Sequence, residues 1–331
     1  MSTNNNNNNE KKVVLKVENL RTSFFTRRGE VKAVDGVSFT IHEGETLGLV
    51  GESGCGKTVT GLSLLRLLPE PAGKIIGGEI ILDGRNLLEL SKKEMRNVRG
   101  RLISMILQDP MMSLNPVYTV GDQIAEPIYQ HQGLRGERVW EEVISALRLL
   151  NIPDPDKRLR DYPFQLSGGM RQRVVGAIAM SCHPRLLIAD EPTTALDATI
   201  QAQYIDLFKD VQRKTNVSIL FITHDFGVVS QMCHRVAVMY AGKIVETAPT
   251  EVIFKNPSHP YTSALINSVP RLDRKVERLY SIEGQPPSLM NLPPGCRFAP
   301  RCPQAAGICH EKEPGKKTID DNHTVSCWGV E

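Results

Sequence analysis

One glycine-rich segment constrains the fold of this chain more than any other feature of its sequence. Residues 51–58 read Gly-Glu-Ser-Gly-Cys-Gly-Lys-Thr, which has the spacing G-x-x-x-x-G-K-[ST] of a phosphate-binding P-loop. A short apolar run at 46–50 precedes it, and apolar residues at helical spacing follow it as far as Pro69. A P-loop between a strand and a helix predicts an α/β fold that binds the phosphates of ATP.

The residue types in the P-loop suit this chemistry. Glycines let the backbone curl so that N–H groups point at phosphate oxygens, and the start of the following helix adds its dipole. We expect Lys57 to reach the β and γ phosphates and Thr58 to supply a hydroxyl to Mg²⁺. The ATP-binding residues predicted in this segment are Gly51, Ser53, Gly54, Cys55, Gly56, Lys57, Thr58 and Val59.

Two adjacent carboxylates follow a second short apolar run. Residues 186–189 predict a buried parallel strand that ends just before Asp190 and Glu191. Because α/β sheets bind ligands at the carboxyl ends of their strands, we predict that Asp190 holds Mg²⁺ and that Glu191 polarises the attacking water. The two carboxylates could instead cap the next helix. The presence of a P-loop in the same chain favours the catalytic role over capping.

Apolar runs of strand length alternate with helical patterns along most of the chain. The predicted strands lie at 13–17, 34–41, 46–50, 77–82, 186–189, 218–223 and 235–240, and a helix lies at 199–215. Residues of about 88–180 have a mainly helical pattern. This alternation predicts an α/β core with a mainly parallel sheet, an antiparallel β edge and a helical subdomain at about 100–180.

Composition divides the chain into three parts. The N-terminus has six consecutive asparagines and predicts a disordered tail at 1–11, with no pattern of a secretory signal. An ATPase domain is predicted at 12–255. A C-terminal extension is predicted at 256–331, where prolines and cysteines are dense. No apolar run approaches the length of a membrane-spanning helix, and a net charge of +3 is too small to indicate a nucleic-acid partner.

A third motif carries a resemblance to a known family. Residues 166–173 read Leu-Ser-Gly-Gly-Met-Arg-Gln-Arg. This segment closely resembles the LSGGQ signature of ABC-transporter ATPases, with Met170 in place of the usual glutamine. Ser167, Gly168 and Gly169 at a helix start would make a second anion site. The resemblance implies that this signature closes over the ATP of another subunit, in a head-to-tail dimer.

Further positions match the motifs of the same family in order along the chain. The resemblance implies that Gln108 is the glutamine that senses magnesium and the membrane subunits, and that His224 is the switch histidine that contacts the γ-phosphate. Residues 195–197 match the D-loop. Phe24 lies where the family places an aromatic residue that stacks on adenine, and the adjacent Phe25 would point the other way on a strand.

Within the family, the chain is most similar to the ATPase subunits of dipeptide and oligopeptide importers. The narrower resemblance is carried by residues 108–116, 256–262 and 283–287 and by the cysteine-rich tail. It implies a transmembrane permease and, indirectly, an extracellular or periplasmic peptide-binding protein. It also implies a second ATPase subunit, which is commonly a paralogue, although this sequence does not forbid a homodimer. The implied location is the cytoplasmic face of the cell membrane, as a peripheral subunit.

Four cysteines near the C-terminus suggest a metal staple, because so small a segment has little apolar content to bury. Cys296, Cys302, Cys309 and Cys327 are separated by five, six and seventeen residues. Zinc sites usually have closely paired cysteines, whereas these wider gaps suit a cubane cluster better. The resembling importer subunits carry a [4Fe–4S] cluster on this pattern. Zn²⁺, with His310 or His323 as substitute ligands, and free thiols remain the alternatives.

Three other functions compete with peptide import. An importer of nickel or another small solute would have a nearly identical ATPase, because the permease and the binding protein choose the solute. A soluble ABC ATPase acting on DNA or ribosomes typically carries long coiled-coil insertions or two cassettes, and neither pattern is present in this sequence. A regulatory module that does not hydrolyse ATP would not need both Glu191 and His224.

Overall fold

The computed structural model describes residues 12–108, 113–194, 197–269 and 280–330. The predicted tail at 1–11 lies outside this range. The strands within it are β1 (Val13–Thr26), β2 (Gly29–His42), β3 (Thr46–Val50), β4 (Gly73–Leu82), β5 (Arg85–Asn86), β6 (Ile103–Ile106), β7 (Leu186–Asp190), β8 (Ser218–Thr223), β9 (Arg235–Tyr240), β10 (Lys243–Pro249), β11 (Lys317–Asp320) and β12 (His323–Val325). They form one sheet of order β2-β1-β4-β5 and one of order β11-β12-β10-β9-β3-β8-β7-β6.

The α-helices lie between the strands and, for the most part, follow the predicted pattern. They are α1 (Lys57–Leu64), α2 (Lys92–Val98), α3 (Val120–His131), α4 (Glu137–Leu149), α5 (Pro155–Arg158), α6 (Gly168–Met180), α7 (Ala198–Thr215), α8 (Phe226–Met232), α9 (Thr250–Lys255), α10 (Pro260–Asn267) and α11 (Gly307–Glu311). Helices α3, α4 and α6 pack against one another. In α4 the buried residues Val139, Val143, Ala146 and Leu147 lie along one face, so this group has its own apolar interior.

The smaller sheet is the predicted antiparallel edge. Strands β1 and β2 pair from Val13 opposite His42 to Thr26 opposite Gly29, which makes a long hairpin. Val14, Leu15, Val17 and Leu20 of β1 are buried, whereas the end of the strand at Phe25 and Thr26 is exposed. The hairpin therefore packs on the core along most of β1 and leaves its tip in solvent.

The larger sheet has five parallel strands, β9, β3, β8, β7 and β6. All five residues of β3 and of β7 are buried, as expected for strands covered on both faces. Val50 pairs with Thr223, and Asp190 pairs with Ile222. The carboxyl ends of β3, β7 and β8 therefore meet at one edge of the sheet, which brings the residues that follow these strands together.

The C-terminal region continues the same sheet. Strand β12 pairs antiparallel with β10, and β11 pairs with β12. The rings of Tyr240, Tyr261 and Phe298 form a buried cluster with centroids 4.5 and 5.3 Å apart. The predicted extension at 256–331 is thus packed, in its described part, onto the core through strand pairing and aromatic contacts.

The sequence prediction missed several strands, namely β5, β6, β10, β11 and β12. Ile103–Ile106, within the region with a mainly helical pattern, is strand β6 and pairs parallel with β7 at the edge of the large sheet. Its four residues are too few for periodicity to separate a strand from a helix segment. Among the described residues, the helices include none long and apolar enough to span a membrane.

Candidate nucleotide site

Two glycines fix the shape of the P-loop because the backbone of a neighbouring segment lies against them. A Cβ on Gly51 would lie 2.1 Å from the carbonyl oxygen of Met239, and one on Gly56 would lie 2.2 Å from that of Ala33. Both glycines also have positive φ angles, 157° and 109°. Any side chain at either position would displace strand or hairpin backbone, which explains the glycine pattern of the motif.

The P-loop lysine lies inside the loop that it closes. Lys57 is the first residue of α1 and is 5% exposed. Its Nζ donates to the carbonyl oxygen of Gly51 at 2.8 Å and to that of Glu52 at 3.0 Å. Backbone carbonyls therefore hold the ammonium group within the loop. An incoming phosphate would compete with these carbonyls for the N–H donors of Lys57.

Asp190 lies beneath the P-loop at the end of β7. Thr58 Oγ1 donates to Asp190 Oδ1 at 3.2 Å, whereas Asp190 Oδ2 is buried with no hydrogen-bond partner among the described residues. The side chain is 1% exposed, and this burial raises the pKa of Asp190 to about 6. A buried carboxylate oxygen without a partner, beside a hydroxyl, is a donor set that suits Mg²⁺.

Glu191 is the centre of a hydrogen-bond network just beyond the same strand. Its Oε1 lies 3.0 Å from His224 Nδ1, and its Oε2 accepts from Gln108 Nε2 at 3.2 Å and from Thr194 Oγ1 at 3.0 Å. Its backbone has a φ angle of 46°, which is unfavourable for a residue other than glycine. The backbone turn and three side chains together fix the direction of this carboxylate.

The same network controls the charge of Glu191. Burial alone would raise its pKa, but the hydrogen bond and charge of His224, the hydrogen bond of Thr194 and the charge of Lys57 outweigh burial. The net effect lowers the pKa of Glu191 below its ordinary value of 4.5. The carboxylate is thus ionised at neutral pH, the form that can accept a proton or orient water.

A cavity of about 270 Å³ joins most of these groups. Phe24 lies in its wall, whereas Phe25 is 47% exposed on the other side of β1, beside Lys74. Leu289, which the sequence reasoning did not identify, also lines the cavity. The residues around it are Phe24, Val31, Ala33, Ser53, Gly54, Gly56, Lys57, Thr58, Val59, Gln108, Glu191 and Leu289.

The signature segment lies elsewhere in the chain's own fold. Ser167 caps α6, and its Oγ accepts from the Met170 N–H at 3.3 Å. Ser167 and Gly169 line a separate cavity of about 420 Å³ together with residues of α7. None of the residues of this second cavity lines the P-loop cavity. One chain therefore presents a P-loop site and a signature site that face different spaces.

Parts of two predicted motifs lie outside the described residues. Ala195 and Leu196 of the predicted D-loop are among them, as are residues 109–112 after Gln108. Asp197, the last D-loop residue, is described: its Oδ1 accepts from the N–H groups of Thr199 and Ile200 at 3.0 Å. It therefore serves as the N-cap of α7.

The four C-terminal cysteines are free and half-buried. Burial raises the pKa of Cys296 and of Cys302, and the nearby Cys309 and Cys327 raise both further. Across the described part of the chain, however, no group of three or more His, Cys, Asp or Glu side chains is placed to hold a metal ion. His323, a possible zinc ligand, is instead buried with its Nε2 2.8 Å from Glu246 Oε1. The predicted metal staple is therefore not supported.

The fold and this site define a P-loop ATPase. Residues 34–194 match the family model described as ABC transporter, and residues 245–309 match the one described as oligopeptide/dipeptide transporter, C-terminal region. The chain belongs to the ABC transporter family, in the branch that carries this C-terminal region. The family resemblance drawn from the signature segment is confirmed.

Similar proteins match almost the whole chain. It is 54% identical to the dipeptide transport ATP-binding protein DppD of Bacillus subtilis, over 95% of this chain and 94% of that protein. It is 50% identical to the oligopeptide transport ATP-binding protein OppD of the same organism, over 95% of this chain and 88% of that protein. The similarity thus extends well beyond the ATP-binding motifs and includes the C-terminal region.

Solved structures match the ATPase core. The ATP-binding cassette MJ0796, solved as a dimer in a post-hydrolysis state with ADP and Pi, has a TM-score of 0.63 and 25% identity, and the match covers 71% of this chain and 98% of that one. CbiO1 of Clostridium perfringens, part of the ABC transporter complex cbiONQ, has a TM-score of 0.64 over 74% of this chain and 92% of that one. The predicted ABC ATPase fold is confirmed.

Proposed function

We propose that this chain is the ATP-hydrolysing subunit of an importer of dipeptides or oligopeptides. The observation that carries the ATPase part is that the hydrogen-bonded side chain of Glu191 lines the P-loop cavity together with Lys57. Support for peptide as the substrate comes from relatives that are 50–54% identical along their length and are described as dipeptide and oligopeptide transport proteins.

The residues that would hold Mg²⁺ are Thr58, Asp190 and Gln108. The unpartnered Oδ2 of Asp190 fits this role, since a buried carboxylate oxygen otherwise has no compensation for its lost hydration. When bound, Mg²⁺ would neutralise charge that develops on the β and γ phosphates. Gln108 Nε2 is bonded to Glu191, so its side chain would link the metal ligands to the carboxylate that handles water.

The remaining chemistry comes from side chains of this site. Lys57 would exchange the carbonyls of Gly51 and Glu52 for phosphate oxygens, which keeps its ammonium group paired throughout. Glu191, ionised because its pKa is lowered, would orient and deprotonate the attacking water. His224 would hold Glu191 in this direction and contact the γ-phosphate. Phe24 would stack on the adenine, and Leu289, which lines the same cavity, would pack beside the bound nucleotide.

The second anion site would act on the nucleotide of a partner ATPase. Ser167, Gly168 and Gly169 lie at the start of α6, and Ser167 and Gly169 line a cavity separate from the P-loop cavity. A head-to-tail dimer would bring the signature of each subunit onto the P-loop of the other. The similar cassette MJ0796 was solved as a dimer with ADP and Pi, which supports dimerisation, and the second subunit would be a paralogue or a second copy.

The chain would work at the cytoplasmic face of the membrane beside a separate permease, which receives the peptide from an external binding protein. Residues after Gln108 would face the permease. We further propose the division into an ATPase domain at 12–255, with its helical subdomain at about 100–180, and a C-terminal region at 256–331. That region marks the peptide-importer branch, since a family model for oligopeptide/dipeptide transporters matches residues 245–309.

Metal binding by the four C-terminal cysteines stays a prediction, which metal analysis of the purified protein can test. The described thiols do not form a metal-holding group, so no step of the mechanism involves a cluster. A [4Fe–4S] cluster would give freshly purified protein a broad visible absorbance and close to four irons per chain. Stoichiometric zinc without visible absorbance would instead support the zinc alternative. Protein that contains neither iron nor zinc would show that the thiols are free.

Affinity purification from the native membrane tests the proposed function. We expect recovery of permease subunits, with a paralogous ATPase where the dimer is not formed by two copies of this chain, and peptide-stimulated ATP hydrolysis once these are reconstituted with the binding protein. Stimulation by nickel instead of peptide would favour the small-solute importer. Recovery of ribosomes or DNA-repair proteins without a permease would contradict the proposal.

A further inference from the structure

The C-terminal region reaches the P-loop through one ion pair. Arg301 Nη1 donates to Glu52 Oε2 at 2.7 Å, and Arg301 Nη2 donates to Glu52 Oε1 at 3.0 Å. Glu52 directly follows the first glycine of the P-loop motif. The Arg301 side chain is 4% exposed and that of Glu52 is 28% exposed. The pair is therefore two-pronged and largely shielded from water, the geometry in which Arg–carboxylate pairs are strongest.

Other contacts hold Arg301 in this orientation. Its Nε donates to the carbonyl oxygen of Glu283 at 3.0 Å. Its guanidinium carbon lies 5.8 Å from the centre of the Tyr240 ring, and its Nη1 is 3.3 Å from the Tyr240 hydroxyl. Because backbone and ring contacts fix the guanidinium, the position of Arg301 dictates the position of the Glu52 carboxylate.

Glu52 is held by its other polar groups as well. Its N–H donates to the hydroxyl of Tyr261, on α10, at 2.9 Å. Its carbonyl oxygen accepts from Lys57 Nζ at 3.0 Å. Tyr261 and Arg301, both in the C-terminal region, thus hold the N–H and the carboxylate of Glu52, while the carbonyl of Glu52 accepts from the P-loop lysine. Arg301 is 249 positions away from Glu52 in the sequence.

We propose that Arg301 is a positioning residue for ATP binding: it neutralises and orients Glu52, so that the P-loop receives a triphosphate without a free carboxylate beside it. This inference rests on the proposed function of the cavity. Glu52 directly follows Gly51 of the P-loop, so its carboxylate without Arg301 would add an unpaired negative charge next to the loop that receives the phosphates. The C-terminal region is then a working part of the ATP site within the same chain.

The test compares four variants for binding of MgATP by titration calorimetry. We expect Arg301→Met to weaken ATP affinity by roughly tenfold, within the range of coupling between contacting charged residues. Glu52→Gln should change it by less than about threefold, because the loop keeps its Tyr261 contact. The double variant Glu52→Gln/Arg301→Met should recover most of the lost affinity. Arg301→Lys, which keeps the charge but not the fork, should lie between wild type and Arg301→Met.

Rescue separates positioning from simple damage to the fold. If Arg301→Met acts only by loosening the C-terminal region, the double variant will stay as weak as the single one, and the proposal is overturned. The matched control is Arg235→Met, which breaks the ion pair between Arg235 and Glu45 at 3.0 Å. Glu45 directly precedes β3, so this pair lies at the end of that strand opposite the P-loop. The ATP affinity of Arg235→Met should equal that of the wild type.

The same titration distinguishes this inference from the proposed function. A wild-type chain that does not bind MgATP would contradict the ATPase assignment itself. A wild-type chain that binds MgATP, with Arg301→Met binding equally well, would leave the ATPase assignment intact and overturn the role of Arg301.

Discussion

His224 Nδ1 lies 3.0 Å from Glu191 Oε1, although the two residues are 33 positions apart in the sequence. Each residue directly follows one of two neighbouring parallel strands, since β7 ends at Asp190 and β8 ends at Thr223. The backbone joins them too, because the Glu191 N–H donates to the Ile222 carbonyl at 2.9 Å. The sheet register therefore sets the geometry of this pair.

Replacing Glu191 with Gln should abolish turnover and preserve binding. The amide keeps the size of the side chain and one acceptor but cannot take a proton from water. We expect phosphate release to fall by about 10²- to 10⁴-fold, with MgATP affinity within about twofold of wild type. Glu141→Gln, at an exposed position on α4, is the control. Wild-type turnover in Glu191→Gln would contradict the role given to this carboxylate.

Replacing Asp190 with Asn should stabilise the chain and remove Mg²⁺-dependent hydrolysis. Asn keeps an acceptor for Thr58 but has no buried charge. Burial raises the pKa of Asp190 from 3.8 to about 6, so at 1.36 kcal/mol for each pH unit the charge costs about 3 kcal/mol at pH 7.5. Without Mg²⁺ or ATP, thermal unfolding of Asp190→Asn should therefore occur roughly 2–6 °C higher than that of wild type.

The pH dependence of that gain has a definite sign. Between pH 3.8 and about 6 the folded chain keeps a proton on Asp190 that the unfolded chain has already lost. This group therefore destabilises the fold increasingly as the pH rises through that window. The advantage of Asp190→Asn should shrink to roughly half at pH 5. An advantage that is equal at pH 5 and 7.5, or absent at both, would contradict the raised pKa.

Much of the site could be predicted because its residues directly follow short apolar runs. The P-loop, Glu191 and His224 each come just after a predicted strand, and parallel strands end at a common edge. Phe24 was predicted from the family resemblance, with strand alternation pointing Phe25 the other way, and the structure places Phe24 in the cavity wall. Local pattern and sheet topology together are sufficient for these positions.

The contributions of the C-terminal region could not be predicted in the same way. Leu289 and Arg301 lie in segments with weak periodicity, and their contacts with the nucleotide cavity and with Glu52 depend on how distant segments fold back. Strands β11 and β12 are four and three residues long, too short to leave a periodic signal. Such contacts depend on tertiary packing, for which a single sequence has no marker.

Removing His224 should alter both the rate and the pH profile of hydrolysis. His224 lowers the pKa of Glu191 more than any other group does, against the opposing effect of burial. In His224→Ala the pKa of Glu191 should rise, so the acid limb of turnover should move to higher pH. The rate at pH 7.5 should fall on the order of a hundredfold, as for the loss of one donor from a catalytic site.

The control for this prediction is His224→Gln, whose amide can still donate to Glu191. Its acid limb should stay closer to that of the wild type than the acid limb of His224→Ala does. Phosphate release measured from pH 5 to 8 at saturating MgATP gives both quantities. A rate loss in His224→Ala without any movement of the acid limb would contradict the coupling of His224 to the charge of Glu191.

Phe24 and Phe25 offer a matched pair for testing where the adenine binds. Both are on β1, but Phe24 lines the cavity and Phe25 lies outside it, 47% exposed. Because stacking of a base on an aromatic ring contributes about 1–3 kcal/mol, Phe24→Ala should weaken MgATP binding by roughly tenfold, measured by calorimetric titration. Phe25→Ala should bind like the wild type, and Leu289→Ala should show a smaller loss than Phe24→Ala. Equal losses in the two phenylalanine variants would mean that strand β1 acts only through stability and that the base binds elsewhere.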